Sequence, residues 1–303
     1  MTFLYKKYYF FYLVLQIKLM KKKIISEIKF PDYDFLGSVY IKTKSNELLE
    51  ALESIKTQTL KPKNIILVID GVVKKEVEIL IKKYMKVIPI KKITLKENVG
   101  LGLALREGLK ECESEIILRF DTDDINDKKR AFYIVEELAN GNVDVVGSNI
   151  YEFTNNPKKW TSLKKMPLSH NSIKRHLIYR NPINHPSVGF LKKSIINLNG
   201  GYRNFPFYED YDLWIRAINN NLIFKNIDKA LVAVRVTEQR ERRKGVKLIF
   251  SEIRLLITFF KASFWQGLKF IPFLFFRIIF TLLPLRIINL IYSKYLRKNR
   301  LVK

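Results

Sequence analysis

Glu115-Ile-Ile-Leu-Arg-Phe-Asp-Thr-Asp-Asp124 is the stretch whose reading decides the fold. A short β-branched run ending on three carboxylates in four residues reads as a buried strand whose carboxyl end opens into a polar site. Working outward, Asn64-Ile-Ile-Leu-Val-Ile-Asp70 is a second such run, ending in an acid and followed by Gly71. Leu36 to Lys42 reads as an earlier strand and Ile90 to Leu95 as one between. Asn46 to Thr57 sets Leu48, Leu49, Leu52 and Ile55 on one helical face, with Ser45 as its N-cap. Lys74 to Met85 is a second helix, and Asn98-Val-Gly-Leu-Gly opens a third that runs to about Cys112. Strands alternating with helices predict an α/β fold with a Rossmann-like, mostly parallel central sheet flanked by helices. Such sheets bind ligands outside the carboxyl ends of their strands, where Asp70 and Asp121 both fall.

Asp121, Asp123 and Asp124 repel one another unless a cation or a set of amide donors balances them. Hard divalent cations take oxygen ligands, often one or two carboxylates completed by substrate phosphates. The D-x-D spacing puts Asp121 and Asp123 on one side of an extended segment, suited to a ribose hydroxyl and a metal. A calcium loop of the EF-hand type needs further oxygens and a glycine that Ile125-Asn126-Asp127-Lys128 does not supply. A solvated acidic turn is the bland reading of the same residues.

The chain has 303 residues, 48% of them hydrophobic, and a net charge of +26. Its size excludes a disulfide-stapled miniprotein and its composition a wholly disordered chain. The single cysteine, Cys112, fits a reducing compartment, so the chain reads as cytoplasmic. The charge is concentrated at the ends: residues 1–29 carry seven lysines against one glutamate, and residues 246–303 eleven basic residues against one glutamate. The expected organisation is a basic aromatic extension over 1–34, a catalytic domain over 35–245 and an amphipathic basic tail over 246–303. The uncharged N-terminal run is too short to span a bilayer, and Met20, followed by three lysines, is an alternative start. In the tail, apolar runs are interrupted by Lys261, Lys269, Arg277, Arg286 and Lys294, and Pro272 and Pro284 are expected to divide it into short helices. Aromatic and aliphatic residues interspersed with Lys and Arg suit helices lying on an anionic membrane surface. Packing of the same helices on the main core is the competing reading.

The ordered series SVY (38–40), VIDG (68–71), NVGLGLALREGL (98–109), RFDTDD (119–124), VVGSNIYEF (145–153), RNPINHPSVGF (180–190) and GGYRNFPFYEDYDLWIRA (200–217) resembles the family 2 glycosyltransferases. Within them it is similar to the bacterial exopolysaccharide and capsule group, amylovoran biosynthesis included. The resemblance covers about residues 35–245 and implies a GT-A fold that binds a nucleotide sugar, usually a UDP-sugar. It implies that Tyr40 and Asp70 line the uracil pocket, with Asn98, Gly100 and Arg130 also on the nucleotide-sugar side. Asp121 matches the acid near the ribose and shares the metal, Mg²⁺ or Mn²⁺, with Asp123. Tyr208-Glu209-Asp210-Tyr211-Asp212 matches the motif that supplies the general base of inverting enzymes, a role that falls on Asp210 before Glu209. His185 and the pair Arg242 and Arg243 match positions near the acceptor or the diphosphate.

Each has a plainer alternative. Glu209 and Asp210 also suit a helix N-terminus, His185 a structural role in a Pro-rich loop, and Arg242 and Arg243 a solvated charge run. The chain departs from the family pattern in having few apolar residues before SVY, Arg106 in place of an asparagine, and no proline between Asn126 and Lys129. The expected function is inverting transfer of a sugar to a saccharide acceptor, carried on a polyprenyl diphosphate, at the inner face of the cell membrane. A non-catalytic membrane scaffold and a nucleic-acid-binding protein are the alternatives. The second rests on charge alone and leaves the ordered aspartates unexplained, so nucleic acid is not an expected partner.

Overall fold

The computed structural model describes residues 30–236 and 246–282. Met20, Arg242, Arg243 and Pro284 lie outside the described residues. The chain divides at Pro31, and the unit that begins at Asp32 carries every element below.

The run that decided the fold is strand β4 (Ile116–Arg119), buried along its length. It follows β1 (Tyr33–Val39), α1 (Ser45–Lys56), β2 (Asn64–Ile69), α2 (Lys75–Tyr84), β3 (Ile90–Thr94) and α3 (Leu101–Glu111). β1 pairs in parallel with β2 and β4, and β2 in parallel with β3. After β5 (Ile125–Asn126) come α4 (Arg130–Ala139), β6 (Val145–Phe153), β7 (Trp160–Lys164), α5 (His170–His176), β8 (Gly189–Leu191) and α6 (Lys192–Ile196). The unit closes with α7 (Glu209–Asn219), β9 (Phe224–Arg235), α8 (Val246–Ala262) and α9 (Phe264–Leu282). The strands form a single nine-stranded sheet in the order β3-β2-β1-β4-β8-β6-β9-β5, with β7 on β6. β8 runs antiparallel to both β4 and β6, and β6 and β9 are parallel. The reversal of strand order beside β1 opens a crevice at the carboxyl ends of β1 and β4.

Three boundaries differ from the sequence reading. β1 starts at Tyr33, so the expected 34/35 division falls inside a core strand. Asp34 looks like a break but is fully buried and satisfied. Its carboxylate accepts from Asn64 N at 3.1 Å, Glu113 N at 2.7 Å and Ser114 N at 2.9 Å, tying β1 to the starts of its neighbours. The N-cap of α1 is Lys44, with no side-chain cap, and Ser45 is the first helical residue. Pro272 does not end a helix, because α9 runs through it; the break falls at Ser263 instead.

Residue 245 is not a packing boundary. Leu255 and Phe259 of α8 and Phe270 and Leu274 of α9 join the cluster built on Trp214, Leu213, Tyr211 and Phe190. The buried Asp212 of α7 accepts from Thr258 Oγ1 at 3.1 Å and from Arg216 Nε at 2.8 Å, which fixes α8 against α7. The opposite faces stay open. On α8 Val246, Phe250, Ile253 and Ile257 recur at helical spacing and are exposed. On α9 Phe264, Leu268, Ile271, Phe275 and Ile279 do the same, flanked by Trp265, which is 70% exposed. No helix among the described residues is long and apolar enough to cross a membrane.

Candidate active site

A cleft of about 860 Å³ lies over the carboxyl ends of β1, β2 and β4. It is lined by Tyr40, Asp70, Asn98, Gly100, Asp121, Asp123, His185, Glu209 and Asp210, so nine of the twelve sequence-predicted site residues meet in one cavity. Arg242 and Arg243 are not described, and Arg130 is elsewhere.

On one side of the cleft, Asp70 emerges from β2 and organises the loop before α3. Its Oδ1 accepts from Val99 N at 2.7 Å, and its Oδ2 from Gly100 N at 3.1 Å and Asn98 Nδ2 at 3.0 Å. Asp70, Asn98 and Gly100 are thus one structural unit that presents the amino end of α3 to the cleft. Gly102, in the first turn, lets α3 approach the chain ahead of α7: a Cβ there would stand 2.3 Å from Arg203 O. The amino ends of α3 and α7 thereby converge on the cavity, two positive helix poles suited to an anion.

The acidic loop after β4 is clasped by two arginines that sequence reading missed. Arg119, 1% exposed, forms a two-pronged ion pair with Asp121. Arg235, at the end of β9, donates its backbone N–H to Asp124 Oδ1 at 2.8 Å and its Nε–H to Asp123 O at 3.2 Å, and it pairs with Glu50. The available signal was a lone arginine at the end of each of two apolar runs, a residue seldom buried without a partner. Asp123 remains undercompensated. Burial, then the charges of Asp121 and Glu47, push its carboxyl from 3.8 up to about 6. Asp124 is pushed up by burial, then by the charges of Asp121 and Asp123.

Arg130 was expected on the nucleotide sugar, but it is fully buried and does not line the cleft. Its guanidinium donates to Arg119 O at 2.5 Å, Val188 O at 3.2 Å and the Asn126 side chain. It holds the end of β4 against the loop before β8. His185 lines the cleft but is 7% exposed, its Nε2 2.8 Å from Tyr202 Oη. Burial, then the Arg119 charge, holds its pKa well below the usual range, so the ring is neutral.

At the other end, Glu209 and Asp210 open α7. Asp210 Oδ2 accepts from Asn181 Nδ2 at 2.5 Å and its Oδ1 from Tyr211 N at 2.8 Å. The turn into this helix places Phe207 at φ +70°, a left-handed conformation that costs a bulky residue strain and recurs at functional sites. The helix-terminus reading and the catalytic reading of these acids are compatible, since the terminus is what aims them into the cavity. Cys112 is buried, and burial pushes its thiol up to about 12.

Among the described residues no group of three or more His, Cys, Asp and Glu side chains is arranged to hold a metal ion. Asp123, with Asp121 beside it in the grip of Arg119, offers at most two carboxylates. That set suits a magnesium-like cation whose remaining ligands are substrate phosphates and water, and not a cation caged by protein alone.

A mixed sheet of this order with an acid-rich crevice at its strand ends is the architecture of a GT-A glycosyltransferase, a class that commonly uses a divalent metal. Residues 38–199 match the family described as Glycosyl transferase family 2. The chain belongs to that family and is a glycosyltransferase. It is 37% identical over 270 residues to the Escherichia coli UDP-Gal:alpha-D-GlcNAc-diphosphoundecaprenol beta-1,3-galactosyltransferase, covering 88% of this chain and 98% of that protein. It is 31% identical to the amylovoran biosynthesis glycosyltransferase AmsE of Erwinia amylovora, covering 86% and 98% of the two. Among solved structures it is similar in fold to S. aureus TarS 1-349 in complex with UDP-GlcNAc, with a TM-score of 0.61, 18% identity, and 78% and 69% of the two chains covered.

Proposed function

We propose that this chain is an inverting, cation-assisted glycosyltransferase that moves a sugar from a UDP-sugar to a saccharide carried on a polyprenyl diphosphate. It works at the inner face of the cell membrane in surface polysaccharide assembly. The observation that carries the reading is the single cleft joining Asp70, Asp121 and Asp123 at strand ends to Glu209 and Asp210 at the amino end of α7.

In this reading Tyr40 and the Asp70 loop hold the nucleoside, and the amino end of α3 faces the diphosphate. Asp123, aided by Asp121, would hold Mg²⁺ or Mn²⁺, which when bound would supply neutralisation of the charge on the leaving diphosphate, worth several kcal/mol. Asp210 takes the proton from the acceptor hydroxyl as its oxygen attacks the anomeric carbon from the face opposite the leaving group, a contribution of about 10²–10⁴-fold. Inversion follows from that geometry. Asn181 holds Asp210 in register through the 2.5 Å bond to Oδ2. The relative acting on a diphosphoundecaprenol-linked sugar supports a lipid-linked acceptor.

The exposed apolar stripes of α8 and α9 support docking on a bilayer surface. Beside Trp265 a groove is lined by Lys174, Arg175 and Lys269, three cations suited to anionic headgroups. The function is tested with a panel of UDP-sugars, each followed for Mn²⁺-dependent binding and for transfer to a sugar-diphosphate lipid. One UDP-sugar gives a product of inverted anomeric configuration; a panel in which none binds contradicts the reading.

A further inference from the structure

The cleft is lined by two arginines that no part of the donor site uses. Arg180 follows α5 and is exposed. Among the described residues no carboxylate stands within salt-bridge distance of it, although Glu209 and Asp210 line the same cavity. Its neighbour Asn181 bonds Asp210, which places Arg180 in the chain beside the candidate base. Its other neighbour, Tyr179, meets Phe273 of α9 edge to face, ring centroids 4.9 Å apart. One helical turn beyond Phe273 is Arg277, which also lines the cleft.

Arg277 is held as a rigid donor. Its Nε–H donates to Glu252 Oε2 at 2.8 Å, and its guanidinium lies over the rings of Tyr208 and Tyr211 at 5.2 and 5.7 Å. Tyr208 Oη donates to the other oxygen of Glu252, so the three side chains lock one another. A guanidinium has five N–H donors in a fixed fork, and the bond to Glu252 uses only Nε, so the terminal nitrogens can also meet phosphate oxygens. A purely structural ion pair would not need to face the reaction cavity. Nor would it explain a second, carboxylate-unpaired arginine at the same end.

We infer that Arg180 and Arg277 form the binding site for the diphosphate of the acceptor, separate from the site of the donor diphosphate. The inference rests on the reading of a diphosphate-linked acceptor. It gives α9, which carries one of the two exposed apolar stripes, two roles, because an element proposed to meet the membrane also supplies a ligand to the headgroup being glycosylated. The acceptor's anionic group is thereby held beside Asp210, with its lipid chain directed toward α9.

The test uses the full chain with UDP and Mn²⁺ saturating the donor site, and hexyl diphosphate as the probe, with hexyl monophosphate and hexanol for comparison. The wild-type chain is expected to bind hexyl diphosphate at least tenfold more tightly than the monophosphate and to ignore hexanol. Arg180→Gln weakens hexyl diphosphate at least tenfold and leaves UDP affinity within twofold. Because Arg277→Gln alone strands a buried glutamate, it is combined with Glu252→Gln, and this pair gives the same selective loss. Arg277→Lys retains part of the affinity. Unchanged hexyl diphosphate binding in the variants, or none by the wild-type chain, overturns the inference. Equal loss of UDP binding also overturns it, because the arginines then belong to the donor site. Failure of the wild-type chain to bind UDP is a different result, which sinks the proposed function itself.

Discussion

Removing one charge from the acidic loop makes the chain more stable and abolishes its response to metal. Asp123 sits among Asp121 and Glu47, and burial together with their charges raises its carboxyl from 3.8 to about 6. The folded chain therefore holds this proton more tightly than the unfolded chain. The stability it contributes is fully present below about pH 4, is lost as pH rises toward 6, and stays lost at neutral pH. Two pH units set a ceiling of about 3 kcal/mol, and solvent relaxation in an open cleft leaves about 1–2 kcal/mol of it. Asp123→Asn keeps the shape and removes the charge. Its melting temperature without metal should exceed wild type by a few degrees at pH 7.5 and match it at pH 4. Mn²⁺ raises the melting temperature of wild type at pH 7.5, and its apparent affinity falls about tenfold per pH unit below 6, where a proton must leave first. Differential scanning fluorimetry across pH and Mn²⁺ concentration reads both effects. A variant less stable than wild type at pH 7.5, or one still stabilised by Mn²⁺, would refute the account of the acidic loop.

Other residues give equally definite outcomes. Arg119→Met leaves Asp121 without its partner and costs about 2 kcal/mol in urea unfolding, below the 3–5 of a fully buried pair because Asp121 is 32% exposed. Gly71→Ala forces a side chain onto a φ of +76° with its Cβ 2.6 Å from Asn98 N; about 1–3 kcal/mol of strain and a raised KM for the donor follow, measured by unfolding and initial rates. Phe275→Ser with Phe276→Ser removes two rings 63% and 64% exposed and lowers partitioning onto anionic vesicles roughly a hundredfold, read by flotation, with hydrolysis of a UDP-sugar in detergent unchanged.

Much of this site was legible because the sequence pattern and the physics of the sheet coincide. Ile65 to Ile69 and Ile116 to Leu118 are uninterrupted apolar runs because both faces of these interior strands are covered; the first meets Asp70 directly and the second reaches Asp121 through Arg119 and Phe120, where the strand ends open to solvent. The misreadings share a cause. Asp34 and Arg130 are charged residues that the fold buries among partners distant in sequence, so the pattern placed Asp34 at a break and the resemblance placed Arg130 on the ligand. Arg119 was passed over although its partner Asp121 is two residues away, because only the fold shows the arginine to be buried; Arg235 was passed over because the Asp124 carboxylate it meets is 111 positions away in sequence. In the tail, amphipathicity identified the helices but not which surface each face meets. One face packs on Trp214 and its neighbours, as the core-packing reading expects, while the other stays open.

The central claim, that Asp210 removes the acceptor proton while the Asp121–Asp123 end holds the donor, is tested most directly by one comparison. Transfer from the UDP-sugar that binds to a sugar-diphosphate lipid is measured for wild type and Asp210→Asn, alongside the affinity of each for UDP with Mn²⁺. The account predicts a fall in kcat of about 10²–10⁴-fold with UDP affinity unchanged. Transfer by Asp210→Asn at the wild-type rate would contradict it.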